Sequence, residues 1–266
     1  MTTGRTERVR SSLGRSSTIP RGWTSAVLLF AAIACSSQSS APTPVPPVAS
    51  PVRVLMLTAT AGFRHDSIAT ARQTLAGLAT SSGAFTVTAT EDLSTISPSN
   101  LANYDVLFFA LTSGELPFTP NQQAAILAFV SQGGGFLGAH SATDTLYDWP
   151  AYDALIGAHF KEHPWTQTAT VIVEDRTHPA TSMLGAQFSI QEEFYAFREN
   201  PRPRVQVLLR LDSTSVGASG DFPLAWWSLY GSGRVYYNAL GHFPATWTNP
   251  AFQQQIAAAI QWAGRR

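Results

Sequence analysis

The densest chemistry in the chain lies between Gly133 and Trp149, GGGFLGAHSATDTLYDW. Glycines lead into a short apolar run, Phe136 to Ala139, and then into His140, Ser141 and Asp144. An apolar stretch precedes them, Asn121 to Val130, with Ala124, Leu127 and Ala128 at helical spacing. This order predicts helix, glycine stop, buried strand, and a polar turn at the strand's carboxyl end. Open α/β sheets bind ligands at that edge. His140 is therefore a candidate general base or metal ligand.

Other polar clusters can converge on the same turn. His65 follows the apolar run Val52 to Thr58, in the turn ATAGFRHDS. Arg64 beside it could bind a hydroxyl or carboxylate of a ligand. Glu192 and Glu193 sit in the aromatic run FSIQEEFYAF, and a strand's period of two puts them on opposite faces, one free to face solvent and the other a pocket. Whichever of the two packs among the aromatic rings would be desolvated, with its pKa raised toward general-acid use; the family resemblance given below favours Glu193. His242 comes after Gly241, where a small residue suggests close approach to a ligand. His163 and His159 are further candidates, whereas His178 in the polar turn DRTHP reads as a surface residue.

Several histidines with a carboxylate can hold a divalent ion such as zinc; the candidates are His65, His140, His242 and Glu193. No ligand spacing on one helix fixes such a site. His159 and His163 are four apart, but Pro164 suggests that the helix read over Tyr152 to Phe160 has ended. Trp149, Trp165, Trp226, Trp227 and Trp247 offer flat apolar faces on which a ligand ring could stack, though tryptophans more often build core.

Alternating elements must position these groups. Strands are predicted over Val52 to Thr58, Phe85 to Ala89, Tyr104 to Ala110 and Gly134 to Ala139, with helices over Ile68 to Ala79 and Asn121 to Val130. Asp66 or Ser67 is placed to cap the first helix. Lys161 to Trp165 reads as a loop. Strands follow at Ala169 to Val173, Phe188 to Phe197 and Val205 to Leu211, then a hairpin through Gly231-Ser232-Gly233. An amphipathic helix, Phe252 to Trp262, closes the chain. Apolar strands alternating with helices predict a mostly parallel sheet covered on both faces. Neither a dinucleotide fingerprint nor a P-loop follows the first strand.

The chain has 266 residues, 44% hydrophobic and 13% charged, with zero net charge. That supplies a sizeable core and no electrostatic footprint for nucleic acid. Residues 1–34 carry early arginines and the apolar run WTSAVLLFAAIA, the pattern of an export signal. Ala32-Ile33-Ala34-Cys35 resembles a bacterial lipobox, with Ala32 where leucine is preferred. Lipidation of Cys35 would anchor an exported protein to the cell envelope, its sole membrane attachment. Residues 35–51 read as a Ser/Pro/Ala-rich tether, leaving 52–266 as the domain. The single cysteine excludes an internal disulfide and a cysteine zinc cage.

TATAGFRHDSI, GGGFLGAHSATDT, WPAYDALIGAHFKEHP, EEFYAF and PLAWWSLYGSGRVYYNALGHF together resemble the ThuA-like (trehalose utilisation) family, in order across residues 52–263. The resemblance implies a flavodoxin-like α/β fold similar to class I glutamine amidotransferases. It also implies a role in sugar catabolism through 3-keto derivatives. The amidotransferases carry their cysteine on the turn that here holds His140 and Ser141. With no thiolate available, Cys-dependent amidotransfer is excluded. Three readings stay open. One is an enzyme acting on a keto sugar, with His140 or His65 as base and Glu193 or His242 as acid. Arg64, Ser141, Asp144, His163, Trp165 and Tyr195 would then bind the substrate. The others are a non-catalytic carbohydrate-binding module and a metal-dependent hydrolase.

Overall fold

The computed structural model describes residues 50–264. The segment read as an export signal, Cys35 and nearly all of the stretch read as a tether lie outside the described residues. The elements run β1 (Val52–Leu57), α1 (Ile68–Ser82), β2 (Phe85–Thr90), α2 (Pro98–Leu101), β3 (Val106–Ala110), α3 (Pro120–Ser131) and β4 (Gly135–Ala139). Then come α4 (Pro150–Ile156), β5 (Phe160–Val173), β6 (Gln187–Phe197), β7 (Gln206–Leu211), β8 (Pro223–Tyr230), β9 (Gly233–Asn238), α5 (Pro244–Thr248) and α6 (Pro250–Gly264). No helix among the described residues is long and apolar enough to cross a membrane.

All nine strands form one sheet in the order β2-β1-β3-β4-β9-β8-β7-β5-β6. The first five are mutually parallel. Their order is that of a flavodoxin-like sheet, with β9 in the fifth place. From β9 outward every pairing is antiparallel. The parallel sheet expected from the sequence is therefore half of the structure, and an antiparallel wing extends it. Parallel strands are buried on both faces, so β3 and β4 are buried throughout rather than alternating. In β4, a Cβ on Gly135 would meet Ala263 of α6, while one on Gly138 would meet Ile156 of α4. The two helices thus cover opposite faces.

Three loops at the carboxyl edge are zipped together before any ligand is considered. Ala61 and Gly62 of the loop after β1 donate their N–H groups to the Ser113 carbonyl, at 2.7 and 3.2 Å. The Ser113 hydroxyl donates to the Phe63 carbonyl at 2.5 Å. Gly114 donates to the Asp144 carbonyl at 2.8 Å, which adds the loop after β4. Gly114 has φ 70°, and a Cβ there would lie 2.5 Å from the Gly62 nitrogen. The backbone sense and the closeness of the two loops both require glycine.

Several local expectations change. The helix over 152–160 stops at Gly157, and Phe160 opens β5. Lys161 to Trp165 is strand rather than loop, with register irregularities between Phe160, Glu162 and Trp165. Such bulges bend a strand, which hides it from a search for regular alternation. Ser67 stands at the N-cap of α1 without a side-chain cap bond; its hydroxyl donates instead to the Gly241 carbonyl at 3.1 Å. Gly241 (φ 129°) accepts there and from Trp247 Nε1, and a Cβ on it would meet the Trp247 ring. That glycine serves backbone packing rather than access for a ligand.

His178 is buried, not a surface residue. Its Nδ1 accepts from the Ala180 N–H at 3.1 Å, and its ring stacks on Trp227 and Tyr236 and meets Trp262 edge-on. Burial lowers its pKa to about 4. The unfolded chain binds a proton near pH 6.5 that the native state refuses, so this residue costs stability as pH falls from about 6.5 to about 4. His178→Asn keeps an acceptor for Ala180 and cannot charge. Melting temperatures measured at pH 7 and pH 5 should show a smaller acid loss in the variant than in the native protein.

The zipped loops give a second prediction. Gly114→Ala should lower the melting temperature by about 5–10 °C, reflecting roughly 2–3 kcal/mol of strain and displacement. Gly77→Ala, in α1 with nothing within 4 Å of the added methyl, should raise stability by about 0.5–1 kcal/mol. Equal effects at the two sites would show that the loop contact is not constraining.

Candidate metal centre and its cavity

β4 ends at Ala139, and the chain turns at once into a short 3₁₀ turn, His140–Thr143. His140 has φ 50°, a left-handed conformation costing about 1–2 kcal/mol for a residue with a Cβ. Two bonds hold it there. Its Nδ1 lies 2.8 Å from the Ala239 carbonyl, and its own carbonyl accepts from the Tyr237 hydroxyl at 2.8 Å. A carbonyl can only accept, so Nδ1 carries the proton. In the neutral ring Nε2 then presents a lone pair.

Four polar groups close on that lone pair. His65 Nε2 is 3.1 Å away, Tyr195 Oη 3.0 Å, His242 Nδ1 3.3 Å and Glu193 Oε2 3.5 Å. Glu193 Oε2 is also 3.2 Å from His242 Nδ1. His65 comes from the zipped loop after β1, His140 from the end of β4, His242 from the loop after β9, and Glu193 from β6. Ligand atoms from all four residues lie within 4.8 Å of one another. Ligands around tetrahedral zinc, at 2.0–2.1 Å from the ion, stand about 3.3 Å apart. Four of the six separations, between 3.1 and 3.5 Å, bracket that value, and all six lie within 4.8 Å. Three imidazoles and one carboxylate also match the donor preferences of zinc and its first-row neighbours. The residues present fit a divalent transition-metal ion.

The electrostatics agree with ligand roles. Burial, then the nearby His140 and His242, lower the His65 pKa to about 3, so its ring is neutral at pH 7. For Glu193 burial alone would raise the pKa. Its contacts with His140 and His242 outweigh it and hold the carboxyl well below the usual carboxylate range. The expectation of a raised pKa and a general-acid Glu193 is therefore overturned by the histidines beside it. The hydrogen bond to Glu193 raises the His242 pKa. Burial keeps the Tyr195 phenol protonated, far above its ordinary range.

The cluster forms the floor of a cavity of about 350 Å³, lined by Phe63, His65, Asp144, Phe160, His163, Glu193, Tyr195 and His242. His163, half-exposed, reaches Glu193 Oε1 with Nδ1 at 3.3 Å. Asp144 accepts from the Tyr147 hydroxyl through Oδ1 at 2.6 Å. Ser141 is buried with its hydroxyl 3.5 Å from His65 Nδ1. Three expected substrate-binding residues do not line this cavity: Ser141, Arg64 and Trp165. Arg64 turns away to a bidentate pair with Glu91, at 2.8 and 3.1 Å. Trp165 packs edge-on to Phe222, 4.9 Å between ring centres.

Sequence reasoning missed two aromatic walls. Phe63 is 64% exposed at the cavity and packs edge-on to His65 at 4.7 Å. Phe160 faces Tyr195 at 4.3 Å. An apolar residue immediately before the Arg64-His65 pair was the available signal for Phe63. Phe160 was masked by its reading as the end of a helix. His159 lies outside the cluster, its Nδ1 3.2 Å from the Thr143 carbonyl.

A family model described as ThuA, trehalose utilisation, matches residues 53–263. No curated protein matches the chain. Among solved structures, a ThuA-like protein from Bacteroides uniformis ATCC 8492 is 23% identical with a TM-score of 0.69, the alignment covering 83% of this chain and 95% of that one. A ThuA-like protein from Parabacteroides merdae ATCC 43184 is 19% identical with a TM-score of 0.67, covering 80% and 90%. A β-galactosidase from Bacillus circulans sp. alkalophilus is 13% identical with a TM-score of 0.53, over 79% of this chain and only 30% of the enzyme, a likeness of fold alone. Since the family model spans most of its length, the chain belongs to the ThuA (trehalose utilisation) family.

Proposed function

We propose that this protein is a metal-dependent enzyme of carbohydrate catabolism acting on an oxidised (3-keto) sugar or glycoside. One observation carries the metal: the His65 and His242 imidazoles and the Glu193 carboxylate converge on the His140 Nε2 lone pair beside an open cavity. The sugar is carried by family membership. A cavity of about 350 Å³ falls within the roughly 300–1,000 Å³ of small-molecule sites.

His65, His140, His242 and Glu193 would hold the ion, which when bound supplies Lewis-acid polarisation of a substrate oxygen. The remaining cavity residues do the rest. Phe63 and Phe160 offer apolar faces to the sugar ring. Asp144, with Oδ1 held by Tyr147, has Oδ2 free to take the proton from the carbon next to the keto group. His163 at the cavity wall can donate a proton to the departing glycosidic oxygen. Tyr195, kept protonated by burial, donates a hydrogen bond.

A metal-free reading has its own support. His242 and Glu193 already form a 3.2 Å pair in which His242 has a raised pKa, the form suited to donate a proton. The test separates the two. Elemental analysis of the purified protein should find about one equivalent of a transition metal, most of it lost in His140→Ala. Turnover of a 3-keto glycoside should vanish on chelation and return with zinc. Turnover in a protein that takes up no metal would return the chemistry to the His242–Glu193 pair, and neither metal nor turnover would leave a binding module.

We further propose that the protein is exported and lipid-anchored through Cys35. Cys35→Ser should move the protein from the membrane fraction to the soluble one. Retention of the variant in membranes would count against the anchor.

A further inference from the structure

Glu192 precedes the candidate ligand Glu193 in β6. It faces away from Glu193, yet it is fully buried, and no lysine or arginine pairs with it among the described residues. A buried carboxylate without a cation must be satisfied by other donors. Four of them surround it. Oε1 accepts from the Gly241 N–H at 2.8 Å and the Thr246 hydroxyl at 2.5 Å. Oε2 accepts from the Glu193 N–H at 2.9 Å and the His242 N–H at 3.3 Å. Two of these donors are the backbones of residues whose side chains enter the cluster.

We propose that Glu192 is the positioning residue of the metal centre: one buried carboxylate ties the backbones of Glu193 and His242 together and so sets the separation of their ligand atoms. The inference rests on the metal reading of the cluster. Its physical basis is the topology. β6, which carries Glu193, is four places from β9 in the sheet, so no ladder bond joins the two ligand-bearing segments. Glu192 supplies the missing link. The loop is gripped from its other side as well, since the Gly241 carbonyl accepts from Ser67 and Trp247. Its N–H groups face Glu192 and its carbonyl faces away, which fixes the direction in which the His242 side chain leaves the backbone. Only a carboxylate suits the place. It is acceptor-only, whereas a glutamine would turn an NH₂ group against at least one backbone N–H.

The test uses the full-length protein stripped with a chelator and titrated with cobalt(II), whose visible spectrum reads coordination. The native protein should bind about one equivalent. Glu192→Gln should bind about 10–100-fold more weakly, with an altered spectrum, as expected when a residue that orients a ligand is changed. Ile126→Ala, a core truncation in α3, controls for destabilisation and should keep native affinity. If Glu192→Gln does not fold, Thr246→Val removes one hydroxyl donor and should weaken binding several-fold. Native affinity and spectrum in Glu192→Gln, or in Thr246→Val where only that variant folds, would overturn the inference and leave the metal reading standing.

If the native protein itself binds no cobalt, the metal reading falls. The positioning role is then read from the imidazole nitrogen resonances of the stripped proteins. A displacement at His242 larger than at His65 in the variant supports it, and unchanged His242 resonances overturn it.

Discussion

The hydrogen bond from His140 Nδ1 to the Ala239 carbonyl is the constraint from which the geometry of the site follows. It fixes a tautomer, and with it the direction of the one lone pair around which the other groups gather. It also joins the ends of two neighbouring parallel strands, β4 and β9. The left-handed backbone of His140 would not persist alone, and the Tyr237 hydroxyl on the His140 carbonyl helps to hold it. Tyr237 is itself fully buried in β9, beside Trp226 and Phe197. The strain at the turn is thus opposed by the packed core of the sheet.

The two halves of the sheet contribute different things. The parallel half does what such sheets do at their carboxyl edge: it delivers His65, His140 and His242 from three strand ends to one place. The antiparallel wing delivers Glu193, Tyr195 and His163 from β5 and β6, whose position in the sheet is remote from β4. For Tyr195 to touch His140, the wing must fold back over the carboxyl edge. The irregularities in β5 and β7 are where a regular ladder gives way to such a bend. A cavity then forms between the edge and the wing, with a floor of imidazoles and walls of aromatic rings.

Much of this was legible in the sequence because it depends on local rules. Buried parallel strands read as apolar runs, and the histidines after them fall where the fold puts chemistry. The wing was less legible. Pro164 and the charges of Lys161 and Glu162 made part of β5 look like a loop, since a bulged and largely exposed strand shows no alternation. Arg64 and Trp165 were expected at the site by proximity in sequence, and tertiary partners, Glu91 and Phe222, took them elsewhere. Glu192 shows the limit most plainly. The period of two correctly put it opposite Glu193, but nothing local says that the opposite face is also closed, by a loop some 50 residues further on. Likewise His178 sits in a polar turn by sequence, and only the packing of β8, β9 and α6 buries it.

The state of Glu193 decides how the cluster is best understood. A half-buried carboxylate in a cavity lined by Tyr195 and Phe160 would ordinarily have its pKa raised. Here the histidines keep it ionised, so the site holds a fixed negative charge in a poorly solvated place. His242 can neutralise that charge with a proton, and a divalent cation can do so more completely while also satisfying lone pairs on all three imidazoles. The two occupants compete, because each metal-bound histidine must give up the proton on its ligating nitrogen. The wall residues Asp144 and His163 are not needed to hold a cation. In the proposed reading they would move protons beside the bound ion.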